Sequence, residues 1–434
     1  MSAADATLRA AVAKVERRLL PLFVVMFVVN YLDRVNVGFI KRHLQGVLGI
    51  DAAAFGFGAG LFFIGYLVCE VPSNLALQKL GARVWLTRIA VTWGVVATLL
   101  AFVRTEWQFH AARFALGAAE AGFFPGVVFH FTRWLPAADR GRAMAVFLSG
   151  SAVASILSGP LAAVLLRIEG LGLAGWQWML VVEGLASVLV GAAAGLLLDA
   201  RPRDARWLTV AEREALEEAV AAEQRARVAA APVHARPLRL LGDPQILLAC
   251  GVYFAIQLTI YAVTFWLPSI IRGCGDLSDL QVGLLNSVPW AISIVGMVAA
   301  ARAAARWPWQ QAWVAVALVI AGVGMYVATT GGPVTAYAGI CFAALGFKAA
   351  ASLFWPIPQG YLDARIAAAA IALVNSVGNL GGFVAPTVFG WLESRTGSVR
   401  GGLLGLAATS IATAALVFLA RTRPAAPRGG AASA

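Results

Sequence analysis

Twelve apolar runs, each long enough to cross a lipid bilayer, dominate this chain of 434 residues. A helix needs about 20 apolar residues to span the hydrocarbon core, and these runs are continuous rather than alternating as in a membrane barrel. They lie at roughly 19–38, 54–77, 84–103, 107–131, 143–166, 176–198, 245–271, 281–301, 310–328, 335–357, 366–391 and 401–420. Only 13% of the residues are charged, too few to cover a soluble protein of this length. We therefore predict an all-α membrane protein with twelve transmembrane helices.

A polar stretch separates the runs into two groups of six. It covers residues 199–243, and its Thr209 and Glu212 have the spacing of a helix capping box, which predicts a short helix as far as about Gln224. We predict an N-terminal six-helix bundle over 1–198, a cytoplasmic linker over 199–243 and a C-terminal six-helix bundle over 244–434. The linker is interpreted as a solvated segment at the membrane surface, with a regulatory or partner-binding role as the alternative.

The distribution of basic residues predicts the orientation in the membrane. With the N-terminus inside, 24 of the 34 Lys and Arg residues lie on the cytoplasmic side and 7 on the other side. The positive-inside rule then places both termini in the cytoplasm. We predict a multi-pass protein of the inner membrane. The net charge of +12 is thereby explained as an orientation signal, so no nucleic-acid partner is predicted.

The chain lacks the motifs of an enzyme or an ATP-driven pump. Its 4 histidines show no metal-ligand spacing, its 4 cysteines form no paired framework, and no G-x-x-x-x-G-K-[ST] phosphate loop occurs. We therefore predict no metal, no cofactor and no enzymatic activity.

Seven ionisable side chains lie inside the predicted spans, where each costs roughly 2.5–3.5 kcal/mol. They are Asp33, Arg34, Glu70, Arg113, Glu120, Glu183 and Lys348. Arg113 and Glu120 share one helix face about 10 Å apart. Arginines suit an anionic substrate, and an arginine that moves between a carboxylate and the substrate would couple protonation to binding. The alternative is helix-to-helix pairing that only holds the bundle together, and this reading is favoured for Glu70 and Glu183.

The second half offers further polar candidates. Lys348 lies near the centre of an otherwise apolar span, where it either contacts a substrate carboxylate or pairs with an acid. Gln257 and Tyr261 are one helical turn apart, as are Asn375 and Asn379, so each pair shares a face. Substrate binding is one interpretation of these side chains, and interhelical hydrogen bonding is the other.

Several segments between residue 30 and about residue 390 resemble a known family. They are 30–38 (NYLDRVNVG), 66–74 (YLVCEVPSN), 113–126 (RFALGAAEAGFFPG), 175–184 (GWQWMLVVEG), 265–268 (FWLP) and 375–382 (NSVGNLGG). Together they resemble the anion:cation symporter family of the major facilitator superfamily, in its bacterial tartrate, phthalate and 4-hydroxyphenylacetate permease branch.

The resemblance implies two six-helix bundles that work by alternating access, with the proton as coupling ion and a small organic anion as substrate. By resemblance, Asp33 and Glu120 match the protonatable acids of the family, and Arg34 and Arg113 match its substrate-binding and pairing arginines. Tyr66 and Asn375 match positions that face bound substrate. A monomer in the lipid bilayer is the expectation for this fold.

The chain departs from the superfamily pattern between the second and third spans. Gln78 stands where an acid that latches the cytoplasmic gate is expected, and the second-half counterpart around 296–306 also lacks an acid. Gate contacts are therefore expected elsewhere, for example in the turn Asp139-Arg140-Gly141-Arg142.

Three functions follow from these residues. The leading one is proton-coupled uptake of a small organic anion, such as a hydroxy-dicarboxylate or an aromatic carboxylate. The alternatives are exchange or efflux of such an anion and, from a different class, a non-transporting membrane sensor or a membrane-embedded enzyme.

Overall fold

The computed structural model describes residues 3–229, 242–307, 309–361 and 364–420. Over these residues the chain forms seventeen α-helices and no β-strand. The first nine are α1 (Ala3–Val35), α2 (Val37–Leu48), α3 (Ala52–Leu80), α4 (Ala82–Leu100), α5 (Glu106–Glu120), α6 (Phe123–Trp134), α7 (Ala137–Leu165), α8 (Gly175–Leu197) and α9 (Val210–Ala229). The others are α10 (Pro244–Arg272), α11 (Asp279–Arg306), α12 (Gln310–Val327), α13 (Pro333–Phe354), α14 (Pro356–Tyr361), α15 (Ala364–Asn379), α16 (Gly381–Thr396) and α17 (Arg400–Leu416).

The helices reproduce the predicted spans. Within the described residues, 11 helical segments are long and apolar enough to cross a membrane. The remaining predicted span lies in α1, whose apolar part ends at the charged residues Asp33 and Arg34. Three spans each combine two consecutive helices, namely α5 with α6, α13 with α14, and α15 with α16. The predicted all-α architecture is therefore confirmed.

The span predicted as one continuous helix over 107–131 is broken, which corrects the sequence prediction. α5 ends at Glu120, and Gly122 adopts the left-handed conformation with φ +88° before α6 begins. The Ser73 hydroxyl donates a hydrogen bond of 2.6 Å to the Ala121 carbonyl that the break exposes. A Cβ on Gly122 would lie 2.2 Å from Ser73 Oγ, so both the conformation and the space require glycine here.

Helices α3 and α5 approach each other closely enough for their backbones to touch. A Cβ added to Gly65 would lie 2.1 Å from the Phe114 carbonyl oxygen, and one added to Gly117 would lie 1.8 Å from the Phe62 carbonyl oxygen. Small residues permit such approaches between membrane helices. The closeness of α3 and α5 places side chains of both helices around one point.

Contacts between Cα atoms divide the chain into two compact units. The first contains residues 3–229 together with Ala262–Trp290 and Gly382–Gly401, and the second contains the described residues of 242–261, 291–381 and 402–420. The predicted boundaries of the two bundles, 1–198 and 244–434, stay predictions.

The predicted helix in the linker exists and continues beyond Gln224 to Ala229. Its capping box is formed, because the Glu212 amide donates to Thr209 Oγ1 at 3.3 Å and the Thr209 amide donates to Glu212 Oε2 at 2.8 Å. Residues 230–241 of the predicted linker lie outside the described residues.

Helix α9 packs on other helices of the first unit, contrary to the expectation of a merely solvated segment. Lys14 of α1 donates to Glu212 Oε2 at 2.8 Å. The Lys14 ammonium and the Thr209 amide hold the pKa of Glu212 below its usual range, so this contact weakens only as the pH falls through that lowered value. Trp207, just before α9, stacks on Trp134 of α6 with ring centroids 5.8 Å apart.

The turn expected to supply gate contacts forms two ion pairs inside the first unit. Arg140 donates to Glu223 of α9 at 2.6 and 2.9 Å. Arg142 pairs with Glu16 of α1. The structure thus shows where both bases bind, and their role in gating stays a prediction.

A buried ion pair in the first unit was not predicted. Lys41 of α2, which falls between the predicted spans 19–38 and 54–77, is 3% exposed and lies 2.6 Å from Glu393 Oε2 of α16. The Trp266 indole of α10 donates to the same carboxylate oxygen at 2.5 Å. Lys41 therefore belongs to the packed interior of this unit rather than to a solvated loop.

Candidate functional site

An ion pair between α1 and α5 lies at the centre of the site. The guanidinium of Arg34, in the last turn of α1, contacts the carboxylate of Glu120, the last residue of α5. The Glu120 side chain is fully buried, and that of Arg34 is 16% exposed. Two opposite charges removed from water in this way stabilise each other, and removing one partner leaves a costly uncompensated charge.

Phe62 of α3 lies beneath two arginines. The Arg34 guanidinium carbon and the Arg113 guanidinium carbon are each 5.1 Å from the centre of this ring. Arg34 also lies 5.7 Å from the Tyr66 ring, one helical turn further along α3. The electron-rich ring faces attract cations, so Phe62 allows two like charges to share a small volume.

Arg113 is fully buried and incompletely paired. It donates to the Ala59 carbonyl oxygen at 3.2 Å, whereas its Nε and Nη1 atoms have no hydrogen-bond partner in the described parts of the chain. Buried donors without partners cost free energy, and a bound carboxylate would satisfy them. Arg113 is therefore suited to bind an anion.

Asp33 faces away from the ion pair. Successive residues of a helix point about 100° apart, so Asp33 and Arg34 contact different neighbours. Asp33 Oδ2 accepts hydrogen bonds from Ser187 Oγ of α8 at 2.6 Å and from the Trp93 indole of α4 at 3.1 Å. Asp33 is 1% exposed and is held by neutral donors, whereas Glu120 is held by a cation.

Five of the candidate residues lie in the second unit. Lys348 of α13 is half-buried, and Tyr261 of α10 is buried. A Cβ on Gly381 would lie 2.8 Å from the Leu258 nitrogen, so the first residue of α16, two positions after Asn379, meets the part of α10 that carries Gln257. Asn375, Asn379 and Gln257 are half-buried.

The structure thus brings together Arg34, Arg113, Glu120 and Tyr66 around Phe62 and leaves Asp33 in a separate polar contact. The sequence analysis missed Phe62, Trp93 and Ser187. Phe62 is one turn from Tyr66 on the same face of α3, which is a signal that could have identified it. No comparable signal marks Trp93 or Ser187, because neither is unusual in a membrane span.

Over the described residues the chain is helical, with eleven apolar segments long enough to cross a membrane, a charged α1 and a buried ion pair. These features define a multi-pass membrane protein. Residues 23–386 match the family description of the Major Facilitator Superfamily, and the chain belongs to this family of transporters.

Relatives and solved structures agree with this assignment. The chain is 39% identical over 420 residues to an Agrobacterium vitis protein named as a candidate tartrate transporter, with 96% of each chain covered. It is 38% identical over 388 residues to the quinolone resistance transporter of Acinetobacter baumannii, with 89% of each covered. The crystal structure of a D-xylose–proton symporter superposes with a TM-score of 0.75 at 14% identity, covering 94% of this chain and 98% of that one. The family resemblance identified from the motifs is therefore confirmed, and so is the predicted twelve-helix fold.

The close contact between α3 and α5 predicts that a methyl group added to Gly117 destabilises the protein. We expect Gly117→Ala to push Phe62 and Glu120 apart, because the new Cβ would overlap the Phe62 carbonyl oxygen. Overpacking of this kind costs about 1–3 kcal/mol, so the midpoint of thermal unfolding in detergent should fall and transport should decrease.

Gly405→Ala in α17 is the matched control, because nothing lies within 4 Å of a Cβ at that position. Equal unfolding midpoints for the two variants would contradict the close packing of α3 and α5.

Proposed function

We propose that this chain is a secondary transporter that takes up a small organic anion together with protons by alternating access. The observation that carries the proposal is the buried Arg34–Glu120 ion pair beside Arg113, whose partnerless donors suit an anion. The relatives named for tartrate support a hydroxy-dicarboxylate as substrate, and an aromatic carboxylate is the other class to consider.

Competition for Arg34 explains the coupling. A substrate carboxylate that reaches Arg34 and Arg113 offers the guanidinium groups the same charge-assisted contacts that Glu120 offers in the resting protein. Glu120 then loses its cation while it stays fully buried, and a buried carboxylate without a cation is far more stable when it is protonated. Anion binding and proton uptake are thereby linked through one side chain.

Asp33 supplies a second buried carboxyl group for the proton. Its donors, Ser187 and Trp93, are neutral and can hold either protonation state of a carboxyl group, because no ion pair is broken when the proton arrives. We assign proton coupling to Asp33 and Glu120.

We assign substrate binding to Arg34, Arg113 and Tyr66 in the first unit. In the second unit we assign it to Gln257, Tyr261, Lys348, Asn375 and Asn379. The ammonium group of Lys348 suits the second carboxylate of a dicarboxylate, since it is a compact point charge in an apolar helix.

The basic residues support a topology for the proposed transporter. The excess of 24 Lys and Arg over 7 favours cytoplasmic termini, and bacterial relatives support a place in the inner membrane.

Efflux is the second candidate function, and the observation that favours it is the 38% identity to a quinolone resistance transporter.

The uptake of radiolabelled tartrate into proteoliposomes tests the proposal. With the inside alkaline by about one pH unit, each co-transported proton sustains about tenfold accumulation, because every 1.4 kcal/mol of driving force is a factor of ten. We expect accumulation in the wild type and its loss in Asp33→Asn and Glu120→Gln, with exchange of tartrate for tartrate partly retained.

Protein-free vesicles and wild-type vesicles without a gradient are the controls. Accumulation that is indifferent to the proton gradient would exclude symport. Proton-driven extrusion of a quinolone, without uptake of tartrate, would favour the efflux function.

The assignment of Lys348 predicts selectivity between substrates. Lys348→Ala should raise the KM for tartrate by about tenfold, the loss of one charge-assisted contact, and should leave the KM for a monocarboxylate such as lactate nearly unchanged. An equal loss for both acids in competition assays would indicate that Lys348 only stabilises the fold.

A further inference from the structure

Glu183 of α8 is a buried acid that the proposed coupling does not use. Its side chain belongs to a residue that is 5% exposed, and in the described parts of the chain it forms no ion pair. The Asn36 amide donates to Glu183 Oε2 at 2.7 Å, and Oε1 has no hydrogen-bond partner. Glu183 therefore differs from Glu120, which is equally buried but contacts Arg34.

Glu183 lies next to the Asp33 contact. Asp33 lies in α1, and Asn36 lies between α1 and α2 with a helical backbone whose amide donates to the Leu32 carbonyl at 2.9 Å, so the two residues share a helix face. Glu183 and Ser187 are four residues apart on α8 and also share a face. Ser187 bonds Asp33 across the two helices at 2.6 Å, and Asn36 bonds Glu183 across them at 2.7 Å. The two hydrogen bonds join α8 to residues 33–36 and lie about one helical turn apart.

An ionised Glu183 would be costly in this environment. One amide donor does not compensate a carboxylate that is shielded from water, and a buried group in this situation neutralises by binding a proton. A protonated Glu183 has an O–H donor, and the partnerless Oε1 is the oxygen that can carry it.

We propose that Glu183 stores a proton and exchanges it with Asp33 through the Ser187 hydroxyl. The inference rests on the proposed proton-coupled transport and adds a third carboxyl group and a relay to it.

The relay conserves protons at every step. The Glu183 O–H gives its proton to Ser187 Oγ while the Ser187 O–H gives its own proton to Asp33 Oδ2, so the hydroxyl is restored, Glu183 becomes a carboxylate and Asp33 becomes a neutral acid. The reverse transfer returns the proton to Glu183. Ser187 is fully buried and already donates to Asp33, so only its acceptor lone pair has to be reached by Glu183.

Glu183→Gln separates this role from a structural one. The glutamine carbonyl can accept the same hydrogen bond from Asn36. If Glu183 only makes this structural contact, the variant should therefore remain fully active. The glutamine cannot carry a transferable proton, so the variant loses any function that depends on a proton stored at position 183.

Infrared spectroscopy of the purified protein tests proton storage without any substrate. We expect the carbonyl stretching band of a protonated carboxyl group in the wild type at neutral pH, and we expect its intensity to fall in Glu183→Gln. An unchanged band would overturn the proposal, because Glu183 would then be ionised at rest.

Transport of labelled tartrate into proteoliposomes tests the relay. We expect Glu183→Gln and Ser187→Ala to lose about tenfold in proton-driven accumulation, the share of one proton at a gradient of one pH unit, while tartrate exchange stays within about twofold. Ser158→Ala is the matched control, because the hydroxyl of this buried serine of α7 donates to the Ser155 carbonyl of its own helix.

The outcomes distinguish the two proposals. A wild type that accumulates no tartrate under a proton gradient contradicts the proposed function, and the infrared band still decides whether Glu183 stores a proton. A wild type that accumulates tartrate together with a fully active Glu183→Gln overturns the relay alone.

Discussion

The burial of one arginine against one glutamate is the constraint on which the site depends. Arg34 and Glu120 stabilise each other only in contact, since each alone would be an uncompensated charge away from water. A substrate anion that binds Arg34 would therefore leave Glu120 buried without its cation. In the proposed mechanism, the separation of the pair that joins α1 to α5 links anion binding to proton uptake.

The backbone around the pair is arranged to make that contact. Gly117 lets α5 touch α3, which brings Phe62 beneath both arginines, and Gly122 ends α5 immediately after Glu120. Asp33, one residue before Arg34, points to α4 and α8 and so lies among neutral donors. Two adjacent residues of α1 thus lie in different environments. Arg34 contacts a charged partner, whereas Asp33 contacts only neutral donors among the described residues.

The sequence predicted the spans and the important buried charges because both depend on local properties, namely the length of an apolar run and the cost of a charge within it. It could not predict the partners. The contacts of Arg34 with Glu120 and of Asn36 with Glu183 depend on how each helix is rotated about its axis, and tertiary packing sets that rotation. The Lys41–Glu393 ion pair could not be predicted for the same reason, since the two residues are 352 positions apart in the chain.

Calorimetry tests whether an organic anion displaces Arg34 from Glu120 and thereby causes proton uptake. The enthalpy of tartrate binding to the purified protein is measured in buffers of different ionisation enthalpy, and its slope counts the protons exchanged. We expect net proton uptake when tartrate binds to the wild type and a clearly smaller uptake in Glu120→Gln. Binding of tartrate to the wild type without any exchange of protons would rule out the displacement of Glu120 as the cause of proton uptake.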